Sequence, residues 1–181
     1  PTKLFSLALS LTDKLDTLVG FFGVSQKPTS SKDPFALRRA ALGIIRLILE
    51  NKNINKFKDL INYSLLLYQE QNFKFDNISV QNDLSEFLLD RLRYYMKAKG
   101  IRSDIINASL NKNNVNNINE IYRKCFSLNK IINKENGQDI ILSYKRAANI
   151  IENESKNKSL ELAETADPGI FKNDFEKNLF K

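Results

Sequence analysis

Apolar residues recur along this chain at intervals of three and four and do not alternate with polar ones over the length of a strand. The pattern predicts an all-α protein, a multi-helix orthogonal bundle. Over 3–22, Leu4, Ala8, Leu11, Leu15, Leu18 and Phe22 share one stripe, which Phe5 and Leu9 widen into a largely buried helix. Gly23 to Lys32, with Pro28, Thr29, Ser30 and Ser31, reads as a loop. Asp33 is placed to cap a second helix over 35–50, with Pro34 at its first position, where the missing N–H costs nothing. Leu37, Ala41, Ile44, Ile45 and Ile48 face inward there. A third helix, 56–69, capped by Asn55, carries Phe57, Leu60, Ile61, Ser64, Leu65 and Tyr68. After a loop with Phe73 and Phe75, a fourth runs over 81–99 and stops at Gly100. Ser103 caps a short helix to Leu110.

Two further helices are expected, 118–132 and 136–153, the latter with Ile140, Ile141, Tyr144, Ala147, Ala148 and Ile151 inward. Between them Asn111 to Asn119 holds six asparagines in nine residues and reads as a surface connection, because asparagine favours turns and caps over helix interiors. Residues 155–167 are polar and marginal, and Asp167-Pro168-Gly169 is a turn. The last segment sets Phe171, Phe175 and Leu179 on one helical face with no partner following, so the chain is expected to end inside or at the edge of another domain.

A length of 181 residues fits one domain or one and a half, and 42% hydrophobic content is enough for a core. The chain has no His and one Cys, Cys125. That excludes, within this chain, histidine-assisted Ser or Cys nucleophiles, His or Cys zinc sites and internal disulfides. The six glycines never take the spacing of a phosphate-cradling loop. The net charge is +7, distributed as +9 over 1–150 and −2 over 151–181, which suits an anionic partner. No signal peptide is evident, and the longest apolar stretches fall short of the roughly 18 residues a membrane span needs. A cytoplasmic protein, or a piece of one, is expected.

Three groups of residues carry candidate chemistry. Asp13 and Asp16 are a carboxylate pair able to serve a metal or phosphate site, but the lack of His favours an ion pair with Lys14 or with an arginine of the second helix. Arg38, Arg39 and Arg46 put three guanidinia on one short helix. They suit bidentate contacts to a phosphate backbone and, equally, a solvated face or interhelical salt bridges. Gly43 interrupts that helix at a cost of about 1 kcal/mol relative to Ala, which the close approach of another backbone, protein or nucleic acid, would justify. Lys145, Arg146 and Asn149 form a donor-rich set beside Tyr144, whose position favours a core role over RNA stacking. Cys125 reads as a small buried hydrophobe, and Arg91, Arg93 and Lys97, mingled with Glu86 and Asp90, as an exposed face.

The run TDKLDTLVGFFGVSQKPTSSKDPFALRRAALGIIRLI at 12–48, and within it KDPFALRRAALGIIR, closely resembles the beta subunit of the bacterial two-subunit glycyl-tRNA synthetases. FLLDRLRYYMKAKGIRSDIINAS at 87–109 and YKRAANII at 144–151 agree less tightly. The resemblance implies a fragment of a subunit that assists ATP-dependent attachment of glycine to its tRNA through tRNA recognition and subunit assembly. It implies glycine tRNA and the synthetase alpha subunit as partners, and no membrane. Catalysis, with its ATP and Mg, is expected of the alpha subunit and the assembled enzyme, and no cofactor, metal or catalytic residue of this segment. TDKLDTL is similar to the last helix of an HD-type region, with Asp13 at its terminal metal-ligand position. The implied domains are 1–22, the end of that region; 23–135, a helical connector; and 136–181, the start of a helical anticodon-binding-type domain. Arg38, Arg39, Arg46, Lys145, Arg146 and Asn149 are the expected nucleic-acid contacts. A subunit-interaction scaffold without RNA contact, and a remnant of an HD-type metal-dependent phosphohydrolase, stand as alternatives.

Overall fold

The structure is a computed structural model that describes residues 3–51, 54, 57–110, 117–134, 137–157 and 167–180. These residues are helical with short connections: α1 (Leu4–Gly23), α2 (Leu37–Glu50), α3 (Phe57–Glu70), α4 (Asn77–Ala98), α5 (Ser103–Ser109), α6 (Ile118–Ile132), α7 (Gly137–Asn157) and α8 (Asp174–Phe180). They fall into two compact units, 1–133 and 134–181.

In the first unit α2 is the centre. It packs on α1, α4 and α6, while α1 also meets α3 and α4. The predicted inward positions of α2 are all buried: Leu37, Ala41, Ile44, Ile45 and Ile48. They meet Leu18, Val19 and Phe22 of α1 and Leu84, Leu88, Leu92 and Met96 of α4 in one core. Burying a side chain of this size contributes about 1.5–3 kcal/mol, so the stripes at helical spacing hold the unit together. Cys125 is fully buried in the same core.

Helix starts differ from the sequence expectation in instructive ways. Asp33 caps α2 as expected, its carboxylate accepting from the N–H groups of Leu37 at 2.8 Å and Arg38 at 3.0 Å. Pro34, however, lies in a turn before the helix, because Phe35 leaves the helical path to stack on Phe21 at 4.1 Å and Ala36 takes a left-handed φ of 54° to re-enter it. α4 begins at Asn77 rather than 81, with the Asp76 carboxylate accepting from Ser79 N–H at 3.1 Å. Gly100, at φ 81°, terminates it as expected. Ser103 is the first residue of α5 rather than its cap. The cap expected at Asn55 lies outside the described residues.

The asparagine-rich run is only partly a surface connection. Residues 111–116 lie outside the described residues, but Asn117 caps α6, accepting from Glu120 N–H at 3.0 Å and donating to the Glu120 carboxylate at 3.0 Å. Asn119 is buried inside the fold, where its Nδ2 donates to the Ile48 carbonyl of α2 at 3.1 Å. At the opposite side of the unit Tyr68, Phe73 and Phe75 form an aromatic cluster with ring centroids 5.1–5.7 Å apart. The cluster lies against the glycine side of α1: a Cβ at Gly20 would come within 2.5 Å of the Tyr68 hydroxyl and one at Gly23 within 2.4 Å of the Phe75 ring.

The second unit contains α7, a short 3-10 turn at Pro168–Ile170 and α8. The apolar face expected to point inward on α7 is instead accessible, with Ile140 at 60%, Tyr144 at 74% and Ile151 at 47% exposure. An amphipathic stripe is buried only where another surface meets it, and the seven-residue α8 does not cover it.

Candidate nucleic-acid interface

Two adjoining hollows lie between α2 and α4. The first is bounded by Asp33, Ala36, Arg38, Arg39, Leu42, Arg91 and Tyr94; the second by Leu42, Arg46, Glu50, Tyr94, Tyr95, Ala98 and Lys99. Leu42 and Tyr94 belong to both, so the hollows form one groove with a shared middle. The periodicity of the two helices produces it. Residues 39, 42 and 46 share a face of α2 opposite its buried stripe, while 91, 94, 95 and 98 run along the border of the buried stripe of α4 and Lys99 follows at its end.

The cations of the groove differ in what holds them. Arg38 is half-buried, lies 3.8 Å from the Asp33 carboxylate and donates to the Thr29 carbonyl, so it ties the loop before α2 to the helix. Arg39 and Arg46 are exposed, and among the described residues no ion pair or hydrogen bond engages the side chain of either. Arg91 is tucked between two rings, its guanidinium carbon 5.8 Å from the Phe87 centroid and 5.8 Å from that of Tyr94, and it pairs with the adjacent Asp90. Lys99 lies 5.7 Å over the Tyr95 ring. Tyr95 in turn meets Tyr122 of α6 at 6.2 Å, whereas Tyr94 is 58% exposed.

The sequence reading missed the α4 wall. Arg91 and its neighbours read there as an ordinary exposed face, yet Arg91 and Lys99 are brought opposite Arg39 and Arg46. The available signal was the tyrosine pair 94–95 beside cations at 91 and 99 on one helical face. Gly43 also has a different reason from the one expected. It faces α1, where a Cβ would come within 2.9 Å of the Lys14 side chain, so the close approach comes from a lysine stem. Lys145, Arg146 and Asn149 lie exposed on α7 in the second unit, beside an exposed rather than core Tyr144.

Asp13 is 74% exposed and lies 3.7 Å from Lys14 Nζ, as the ion-pair reading expects. Among the described residues no group of three or more His, Cys, Asp or Glu side chains is placed to hold a metal ion. No described helix is long and apolar enough to cross a membrane.

The fold is an all-α module with a groove walled by cations and aromatic rings. Comparison with known proteins places it more closely. The glycyl-tRNA synthetase beta subunit family profile matches residues 1–111. The chain is 35% identical over 180 residues to the glycine–tRNA ligase beta subunit of Cereibacter sphaeroides, covering 99% of this chain and 26% of that protein. The like-named subunit of Dinoroseobacter shibae is 36% identical over 204 residues, covering 99% and 28% respectively, and that of Rhodospirillum centenum 37% over 156 residues, covering 86% and 21%. The chain belongs to the glycyl-tRNA synthetase beta subunit family, and it spans about a quarter of the length of the curated relatives it matches.

Proposed function

We propose that this segment helps a glycine–tRNA ligase attach glycine to its tRNA by holding the RNA through phosphate contacts in the α2–α4 groove. The carrying observation is that Arg39 and Arg46 stand exposed and unpaired, one in each hollow. An unpaired guanidinium makes bidentate contacts to phosphate without first giving up a partner. Such contacts position an RNA without reading its sequence. Lys145, Arg146 and Asn149 of α7 supply a second set of donors, and Arg38 orders the loop at the groove's end. In this reading 1–22 close an HD-like region, 23–135 connect it and 136–181 open an anticodon-binding-type domain. ATP, Mg and the bond-forming chemistry belong to the assembled enzyme with its alpha subunit in the cytoplasm, and this segment binds no cofactor.

The subunit-assembly part of the reading is supported by the exposed apolar residues Leu4 and Phe5 on α1, at 80% and 81%. The test is a titration of glycine tRNA against the intact subunit at several salt concentrations. Replacing Arg39 and Arg46 together by Ala is expected to weaken binding and to reduce the salt slope by about 1.4–1.8, at 0.7–0.9 per phosphate contact. An unchanged affinity and slope, with the alpha subunit still captured, would leave the scaffold role alone.

A further inference from the structure

We infer that the α2–α4 groove takes an unpaired stretch of RNA, with one base stacked on Tyr94, rather than the side of a duplex. The inference rests on the reading of the groove as a phosphate-contacting surface and goes beyond it in naming the form of the nucleic acid.

Tyr94 is the middle of the groove, shared by both hollows, and it is 58% exposed although its neighbours Tyr95 and Met96 pack into the unit. The Arg91 guanidinium lies over the Tyr94 ring at 5.8 Å from its centroid and is backed by Phe87, so it occupies one side of the ring while Tyr94 stays 58% exposed. Arg39 lies in the hollow to one side of the ring and Arg46 in the hollow to the other. An aromatic face between two cations is the arrangement that binds single strands, in which a base stacks while the flanking phosphates meet positive charge. A duplex offers no base face to a side wall. Its bases are stacked inside and it presents phosphates and 2′-hydroxyls, so the central ring would find nothing to stack on.

The dimensions suit a short run. Arg39 and Arg46 are seven residues apart on one helix, about 10.5 Å at 1.5 Å per residue, a separation that only a few nucleotides span. Each hollow also holds one carboxylate, Asp33 in the first, where it is engaged by Arg38, and Glu50 in the second.

The experiment uses the intact subunit with two probes, a fluorescein-labelled single-stranded RNA oligonucleotide and a blunt RNA duplex of the same length, followed by anisotropy. Tyr94→Leu is expected to weaken single-strand binding about tenfold or more, while duplex affinity and both salt slopes stay unchanged. Tyr94→Phe, which keeps the ring, is expected to bind like the wild type. Circular dichroism checks that the exposed substitution leaves the helices intact. If Tyr94→Leu leaves single-strand affinity unchanged, or weakens both probes equally, while the Arg39 and Arg46 double substitution weakens duplex binding, the stacking inference fails and the phosphate-contact reading survives. If the double arginine substitution changes neither probe, both fail.

Discussion

Replacing Asn119 by Ala tests whether the asparagine-rich region holds a structural contact or only accumulated polar residues. Asn119 is 5% exposed, and its Nδ2 reaches the carbonyl of Ile48 at 3.1 Å. Ile48 lies in the last turn of α2, where helical carbonyls run out of partners within the helix. The bond therefore fastens the end of α2 to the first turn of α6. Truncation removes a hydrogen bond with a net value of about 1 kcal/mol and leaves a buried carbonyl short of a donor at a cost of 1–3 kcal/mol, so the expected loss is about 2 kcal/mol. For a unit of residues 1–133 that corresponds to a fall in Tm of about 7 °C. Urea and thermal melts followed by circular dichroism would measure it. Asn119→Asp keeps the shape but supplies no donor at neutral pH, and should lose at least as much. If Asn119→Ala changes stability by less than about 0.5 kcal/mol, the contact does not fasten the two helices and the reasoning is wrong.

Two other outcomes follow from the aromatic side of α1. Gly23→Ala drives a methyl to within 2.4 Å of the Phe75 ring and should destabilise by about 2 kcal/mol in the same melts, the usual range for overpacking, with Phe75→Leu recovering part of the loss. Burial, then the hydrogen bond and negative charge at Asp16, push the Tyr68 phenol from its ordinary 10.0 up to about 12. The unfolded chain then releases this proton first, so the Tyr68 contribution is complete below pH 10 and is lost as pH rises toward 12. Stability measured across that window should fall less steeply in Tyr68→Phe than in the wild type.

Much of the helical order was legible because it depends on local spacing. The inward stripe of α2 and the left-handed stop at Gly100 follow from apolar period, side-chain geometry and the freedom of one glycine, and each is found where the sequence places it; the α1 stripe holds only from Leu15 to Phe22, because no described segment meets its first turns, where Leu4, Phe5, Ala8 and Leu9 are exposed. The capping oxygen of Asp33 was legible too, but the turn that follows it was not. Whether Pro34 opens the helix depends on Phe35 finding Phe21, a contact between residues fourteen positions apart. The same limit applies to α7. Its apolar stripe is plain in the sequence, yet a stripe shows that a face is amphipathic and says nothing of which surface covers it.

The amino-acid sequence by itself determined that the protein is all-α, that it carries no histidine or disulfide chemistry, and that Arg38, Arg39 and Arg46 share one helix. Only the tertiary structure decided what each of those arginines can do. Arg38 is drawn to Asp33 and the Thr29 carbonyl, while Arg39 and Arg46 remain open beside Tyr94 and the α4 cations. The reason is physical. Helical periodicity fixes which side chains share a face, but an arginine's partner is set by whichever chain segment packing brings within a few ångströms of it. For Arg38 that segment is the loop at 29–33, whereas Arg39 and Arg46 face α4, some fifty residues further along, which brings them tyrosines and cations and no carboxylate.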